Sequence, residues 1–184
     1  MANPLAKLNR EKALLLVVDL QEKLLPAIHQ ADVCVAAAVK LIRGCQVLGV
    51  PVICTEQYPA GLGPTCQSVR EVVGAGVPIE KVTFSGCVQG VREAIAASGR
   101  GQLIVTGTEA HVCVQQTVLD LLREGKDVWV CGDAVSSRRP SDCEVALQRM
   151  RQAGAIISTT ESVIFELLGQ AGTDEFKRIL KIVK

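Results

Sequence analysis

The chain predicts a three-layer α-β-α sandwich built on a six-stranded, mostly parallel sheet. Apolar runs of strand length alternate with helical segments of about ten residues or more, which is what crossover connections between parallel strands require. The runs Ala13–Val18 and Leu103–Thr106 are apolar almost throughout, as strands covered on both faces are, instead of alternating with polar residues. No internal repeat or low-complexity linker interrupts the alternation. With 184 residues, 48% of them hydrophobic, the chain is expected to form one domain spanning residues 1–184 with a core on both sides of its sheet.

Taken in order, Ala13–Val18 is the first strand, and Asp19 stands at its carboxyl end. Helical character runs from about Asp32 to Leu48, with Ala36, Val39, Leu41 and Ile42 at apolar positions and Gly49 as the cap. Pro51–Thr55 reads as the second strand, and Glu56–Thr65, with Pro59, Gly61, Gly63 and Pro64, as a loop. A short helix fits between Cys66 and Gly76, and Pro78–Phe84, which carries Lys81, fits a short strand. Val88–Ser98 is helical, the strand ending near Thr106 follows, and a further helix runs from about His111 to Glu124. Asp127–Cys131 is the fifth strand. Ser141-Asp142-Cys143-Glu144 has the form of a capping box opening a helix to Ala153. Ala155–Thr159 is the sixth strand, and helices near Glu161–Leu168 and Asp174–Val183 close the chain.

Composition narrows the partners. Twenty basic residues face nineteen acidic ones, and the longest basic run is Arg138-Arg139, so no footprint for a nucleic acid or an anionic membrane stands out. Aromatics at 3% supply no stacking platform for bases. A small-molecule substrate is the expected ligand. The longest apolar runs, Ala13–Val18 and Val33–Val39, fall short of the roughly 18 residues of a spanning helix, and Met1–Lys7 lacks the apolar segment of a signal peptide. These features predict a cytoplasmic protein whose eight cysteines, none in a C-x-x-C pair, are mostly reduced core residues. With His29 and His111 the only histidines, no metal and no cofactor is expected. Gly61-Leu62-Gly63 lacks the third glycine and the helix of a dinucleotide site, and Ser85-Gly86 lacks the nucleophile elbow of a serine hydrolase.

The stretch Thr108-Glu109-Ala110-His111-Val112-Cys113 lies between a buried strand and a helix, so Cys113 falls near a helix start beyond a strand's carboxyl end. Free N–H groups there favour thiolate. Ligands of parallel sheets bind at that edge, where Asp19 also lies. Singly, a cysteine is most often a core residue, a strand-terminal Asp a turn cap and a lysine a solvated surface group; their combination points to a nucleophile with a base and a cation.

These residues resemble the isochorismatase-like cysteine hydrolases, in the segment Val18-Asp19-Leu20-Gln21, in Lys81 after a central loop and in Cys113 opening a helix after a strand-Gly turn. The Thr55–Thr65 loop and Arg149–Ala155 look closest to the small isochorismatase domain-containing proteins. The resemblance implies a Rossmann-like, isochorismatase-type fold and a homo-oligomer. It implies hydrolysis of a small amide, imide or carbamoyl compound through a thioester on Cys113, with Asp19 as general acid and base and Lys81 as electrostatic support. It also assigns the oxyanion hole to the backbone amides of Glu109 and Cys113, with a cis bond between Thr108 and Glu109. Gln21, Glu56, Gln57, Tyr58, Phe84, Thr108 and His111 are the expected substrate contacts. Two departures matter. His111 stands where relatives often have an Asp, and Glu56-Gln57-Tyr58 replaces the metal-binding Asp-x-His pattern of nicotinamidases. Hydrolysis of isochorismate itself, a vinyl ether, needs no cysteine nucleophile. The competing expectations are an inactive binding module on the same fold and, more remotely, a redox-sensing thiol.

Overall fold

The computed structural model describes residues 6–74 and 76–184; residues 1–5, from the Met1–Lys7 stretch, and Ala75, near the end of the expected Cys66–Gly76 helix, lie outside the described residues. The strands are β1 (Ala13–Val18), β2 (Val52–Gln57), β3 (Ile79–Lys81), β4 (Gln102–Thr108), β5 (Asp127–Ser136) and β6 (Ile156–Ser158). They form one sheet in the order β3-β2-β1-β4-β5-β6, every neighbouring pair parallel. The helices are α1 (Ala31–Val47), α2 (Gln67–Val73), α3 (Gln89–Ser98), α4 (Gln115–Arg123), α5 (Pro140–Gln152), α6 (Thr160–Leu168) and α7 (Asp174–Val183).

Strand alternation divides the apolar side chains between the faces. Leu15, Val17, Ile104 and Trp129 pack with α1, α2, α6 and α7 through residues such as Leu41, Val69, Ile164 and Ile179. Leu14, Leu16, Val105 and Val130 pack with α3, α4 and α5 through Val91, Leu121 and Met150. The continuous apolar runs are therefore double-faced strands: all six residues of β1 are buried. Gly49 ends α1 as expected, in left-handed backbone at φ 70°, with Val50 N donating to Cys45 O at 2.8 Å.

The strand order reverses between β1 and β4. The chain winds outward through β2 and β3 on one side and through β5 and β6 on the other, which opens a crevice above the carboxyl ends of the two central strands. Gly107 makes their close approach possible. Its φ is +122°, and a Cβ there would lie 1.9 Å from the carbonyl oxygen of Val18.

Several elements differ from the sequence reading. β3 stops at Lys81 instead of running to Phe84, because residues beyond it turn their carbonyls back toward the lysine ammonium. β5 continues to Ser136: its register against β4 jumps from Val105↔Val130 to Gly107↔Val135, a bulge that carries the strand beyond the expected end at Cys131. The loop after β2 contains a helical turn, Pro59–Leu62. The capping box at Ser141 does not form. Pro140 occupies the first helical position with Arg139 as N-cap and no side-chain cap bond, which puts Ser141 inside the helix.

Candidate active site

Asp19 leaves β1 in left-handed backbone at φ 50°, a conformation that Asp tolerates better than most residues, and its side chain is fully buried. Two neighbouring strands hold the carboxylate. Thr55 in β2 donates its hydroxyl to Oδ1 at 2.7 Å, and Nζ of Lys81 at the end of β3 lies 2.7 Å from Oδ2. The Lys81 ammonium is equally enclosed: it also donates to Gln57 Oε1 at 2.7 Å and to the carbonyls of Phe84 at 3.0 Å and Thr83 at 3.3 Å. A buried lysine needs acceptors for its three N–H bonds, and the turn after β3 exists to supply them. Among the described residues the Lys81 ammonium is the group facing Oδ2, so the carboxylate is held by Thr55 on one oxygen and by charge on the other.

Cys113 enters from β4. The peptide bond between Thr108 and Glu109 is cis, the Thr108 hydroxyl donates to Asp19 O at 2.9 Å, and Ala110–Val114 form a wide π-helical turn ahead of α4. Glu109 O accepts from the amides of Val112 at 3.1 Å and Val114 at 3.2 Å. Thr117 fastens the next turn, donating to Cys113 O at 2.6 Å and accepting from Gly86 N at 2.7 Å, and so ties the helix after Cys113 to the loop that encloses Lys81.

The thiol is 5% exposed, and its pKa is pushed up to about 12. Burial is the main cause, followed by the Asp19 charge; a hydrogen bond to Asp19 adds to the rise, while Lys81 and a backbone hydrogen bond from Glu109 oppose it. This reverses the expectation that a helix start favours thiolate. The turn is π-helical, the sulfur is shielded from water, and a carboxylate outweighs the backbone donors. A thiol so shifted is protonated at neutral pH.

The remaining predicted contacts separate into two groups. Gln21 is fully buried with its amide committed: Oε1 accepts from Gln57 N at 2.7 Å, and Nε2 donates to Gly63 O at 2.7 Å and Gln57 O at 3.0 Å. Glu56 is 8% exposed and accepts from both the amide and the hydroxyl of Thr65 at 2.6 Å. Both, like the buried Thr108, have internal uses. Gln57 orients Lys81, its own Nε2 held by Val82 O at 2.9 Å. Tyr58 and Phe84 are exposed, and Tyr58 borders an apolar cleft of about 440 Å³ with Pro59, Val82 and Val88 next to Lys81. His111 is half-buried, its Nδ1 3.0 Å from Ser137 Oγ, so its recorded partner is a hydroxyl.

Sequence reasoning missed Thr55 and Arg138. Pairing of the β1 and β2 ends was the signal for Thr55. Arg138 showed only as half of the longest basic run, yet its Nε lies 2.7 Å and its Nη2 3.2 Å from the two carboxylate oxygens of Glu109.

A doubly wound parallel sheet with thiol, carboxylate and ammonium gathered at its switch point defines a Rossmann-like α/β protein with a hydrolase-type site. The isochorismatase domain family matches residues 13–162, and the chain belongs to that family. It is 40% identical to isochorismatase domain-containing protein 2A of Mus musculus over 100% of this chain and 90% of the relative. Among solved structures, the MAR1 ribonuclease of Caenorhabditis elegans superposes with a TM-score of 0.91 at 38% identity, covering 97% of this chain and 92% of that one. The YcaC protein of Escherichia coli, an octameric hydrolase of unknown specificity, superposes with a TM-score of 0.86 at 26% identity, covering 98% and 92%.

Proposed function

We propose that the protein is a metal-independent cysteine hydrolase that cleaves the C–N bond of a small amide, imide or carbamoyl compound. The observation that carries this reading is the gathering at the sheet's switch point of the buried Cys113 thiol with the buried Asp19–Lys81 ion pair, 2.7 Å between its charged atoms. Such a thiol is a weak nucleophile alone and needs a base during attack. As Sγ bonds to the substrate carbonyl carbon, the thiol proton passes to Asp19. The carbonyl π electrons move onto oxygen, where the amides of Glu109 and Cys113 donate to it. The intermediate then collapses: the C–N bond breaks, the amine leaves with the proton from Asp19, and a thioester remains. Water attacks the thioester and gives a proton to Asp19, the C–S bond breaks, and Cys113 recovers its proton as the acid departs. The Lys81 ammonium, 2.7 Å from Oδ2, holds the Asp19 carboxylate in position for both transfers.

The cleft beside Lys81, bordered by Tyr58, Pro59, Val82 and Val88, favours a substrate with a small apolar group. Tyr58 and Val82, which line this cleft, are exposed, and with the octameric E. coli neighbour they support a homo-oligomer. The second reading, a binding module on the hydrolase fold, draws on the same 5% exposure and high pKa of the thiol. Intact-protein mass spectrometry during a screen of small amides decides between them. An acyl adduct on the wild type that is absent from Cys113→Ala is the expected result; turnover by a folded Cys113→Ala protein refutes the cysteine mechanism. A structured RNA incubated in parallel tests whether the ribonuclease name of the nematode relative extends to this chain, and RNA cleavage independent of Cys113 would also count against the proposal.

A further inference from the structure

We propose that Arg138 is a positioning residue, which by gripping the Glu109 carboxylate with both arms of its guanidinium holds in place the turn that carries Cys113. The inference rests on the reading of Cys113 as nucleophile. Glu109 occupies an unusual place: it follows the peptide bond that links β4 to the nucleophile's turn, and its carbonyl accepts from the amides of Val112 and Val114, the two residues that flank Cys113. Three contacts locate that residue. The Thr108 hydroxyl on Asp19 O holds one side of the peptide, and the Val112 and Val114 amides on Glu109 O hold the other. The third is the fork to Arg138, the recorded partner of the Glu109 side chain among the described residues.

An ordinary surface ion pair contributes little, because two long side chains must be ordered in water. This one differs in geometry. The Glu109 side chain is 10% exposed, so its motion is already restricted, and the contact is bidentate, which fixes direction as well as distance. It also spans different parts of the fold. Arg138 lies in the loop that the lengthened β5 delivers to the crevice. That loop is anchored from behind by His29 N donating to Ser137 O at 2.9 Å and by Ser136 Oγ donating to His29 O at 2.6 Å. It grips the π-helical turn a second time through Ser137 Oγ and His111 Nδ1, 3.0 Å apart. A loop held at its base thus buttresses the turn at residues 109 and 111, on either side of Ala110 and ahead of the nucleophile.

Electrostatics act in the same direction. A bare Glu109 carboxylate would oppose negative charge forming on the sulfur or on the reacting oxygen, and Arg138 neutralises it without entering the crevice's buried ion pair. Removing the guanidinium therefore frees the turn and exposes the thiol to a second carboxylate, beside that of Asp19 and against the charge of Lys81.

The test uses iodoacetamide, so it needs no knowledge of the substrate. Alkylation of the Cys113 peptide is followed by mass spectrometry from pH 7 to pH 10 in the wild type, Arg138→Met and Arg138→Lys, with Cys113→Ala as blank and unfolding midpoints measured in parallel. The expected result is a fall of about threefold or more in the Arg138→Met rate at each pH, equivalent to moving the profile up by about half a pH unit. Arg138→Lys restores part of the rate, because it returns the charge but not the fork. The midpoints stay close to the wild type. Superimposed profiles for wild type and Arg138→Met overturn the inference and leave the nucleophile untouched. A wild-type Cys113 that iodoacetamide never labels overturns the nucleophile reading as well, so the two failures are distinguishable.

Discussion

The ion pair between Asp19 and Lys81 makes the sharpest stability prediction. Both side chains are 0% exposed and the charged atoms are 2.7 Å apart, so neither group can recover water if the other is lost. Replacing Lys81 by Met preserves the stem but strands the Asp19 carboxylate, and breaking a buried pair in this way costs about 3–5 kcal/mol. The ammonium's other acceptors, Gln57 Oε1 and the Thr83 and Phe84 carbonyls, are stranded too, which puts the expected loss toward the upper end. For a chain of this size each kcal/mol lowers the melting temperature by about 2–4 °C, so a fall of roughly 6–20 °C is expected. The double variant Asp19→Asn/Lys81→Met removes both charges, and Asn tolerates the left-handed backbone at position 19. It should recover at least about 1 kcal/mol relative to Lys81→Met, but not the wild-type value, since the three orphaned acceptors remain. Urea unfolding followed by fluorescence measures this directly, because Trp129 is the single tryptophan and is 1% exposed. A Lys81→Met protein within about 1 kcal/mol of wild type, or a double variant no more stable than the single one, would refute the claim that pairing holds these charges in the interior.

Two other outcomes follow from the same physics. Burial raises the pKa of Cys34, Cys45, Cys54 and Cys113 from 9.0 to about 12, so the unfolded chain releases these protons first as pH rises. Their stabilising effect is complete below pH 9.0 and is lost progressively toward the folded values; at one unit above the ordinary value each thiol should cost about 1.4 kcal/mol. The urea midpoint should therefore fall steeply between pH 9 and pH 10, and a flat profile there would contradict the burial of the thiols. Gly107→Ala forces a Cβ to within 1.9 Å of the Val18 carbonyl oxygen, in backbone that disfavours side chains. A loss of more than about 3 kcal/mol is expected, or failure to accumulate folded protein, and calorimetry of the purified variant measures it.

How much was legible depended on the range of the forces involved. Apolar runs of strand length, helical spacing and punctuation by glycine are local signals, and they placed every strand and long helix within a few residues. They failed where a distant group decides a boundary. β3 ends at Lys81 because carbonyls beyond it serve the ammonium, and β5 runs on because a bulge lets it rejoin β4. Ser141 resembled a cap, but Pro140 claimed the first helical position.

The same division applies to the site. Residue type and position at strand ends marked Asp19, Lys81 and Cys113 from sequence and from resemblance to relatives, because parallel strands must deliver their carboxyl ends to one edge. Whether a polar residue on that edge meets a ligand or another part of the chain is a three-dimensional question. Gln21 and Glu56 have internal partners, whereas Thr55 and Arg138, inconspicuous in sequence, touch Asp19 and Glu109.

By itself the sequence determined which segments are buried, that the sheet is parallel and doubly covered, and at which end of it Asp19, Lys81 and Cys113 lie. Those properties follow from hydrophobic periodicity and chain connectivity. Only the tertiary structure decided that burial pushes the Cys113 thiol pKa up to about 12, that Lys81 reaches Asp19 across the end of β2, and that Arg138, beyond β5, meets Glu109 at the start of the turn that carries Cys113. The physical reason is that charge, desolvation and hydrogen-bond direction depend on distances between residues far apart in the chain, which no local pattern encodes.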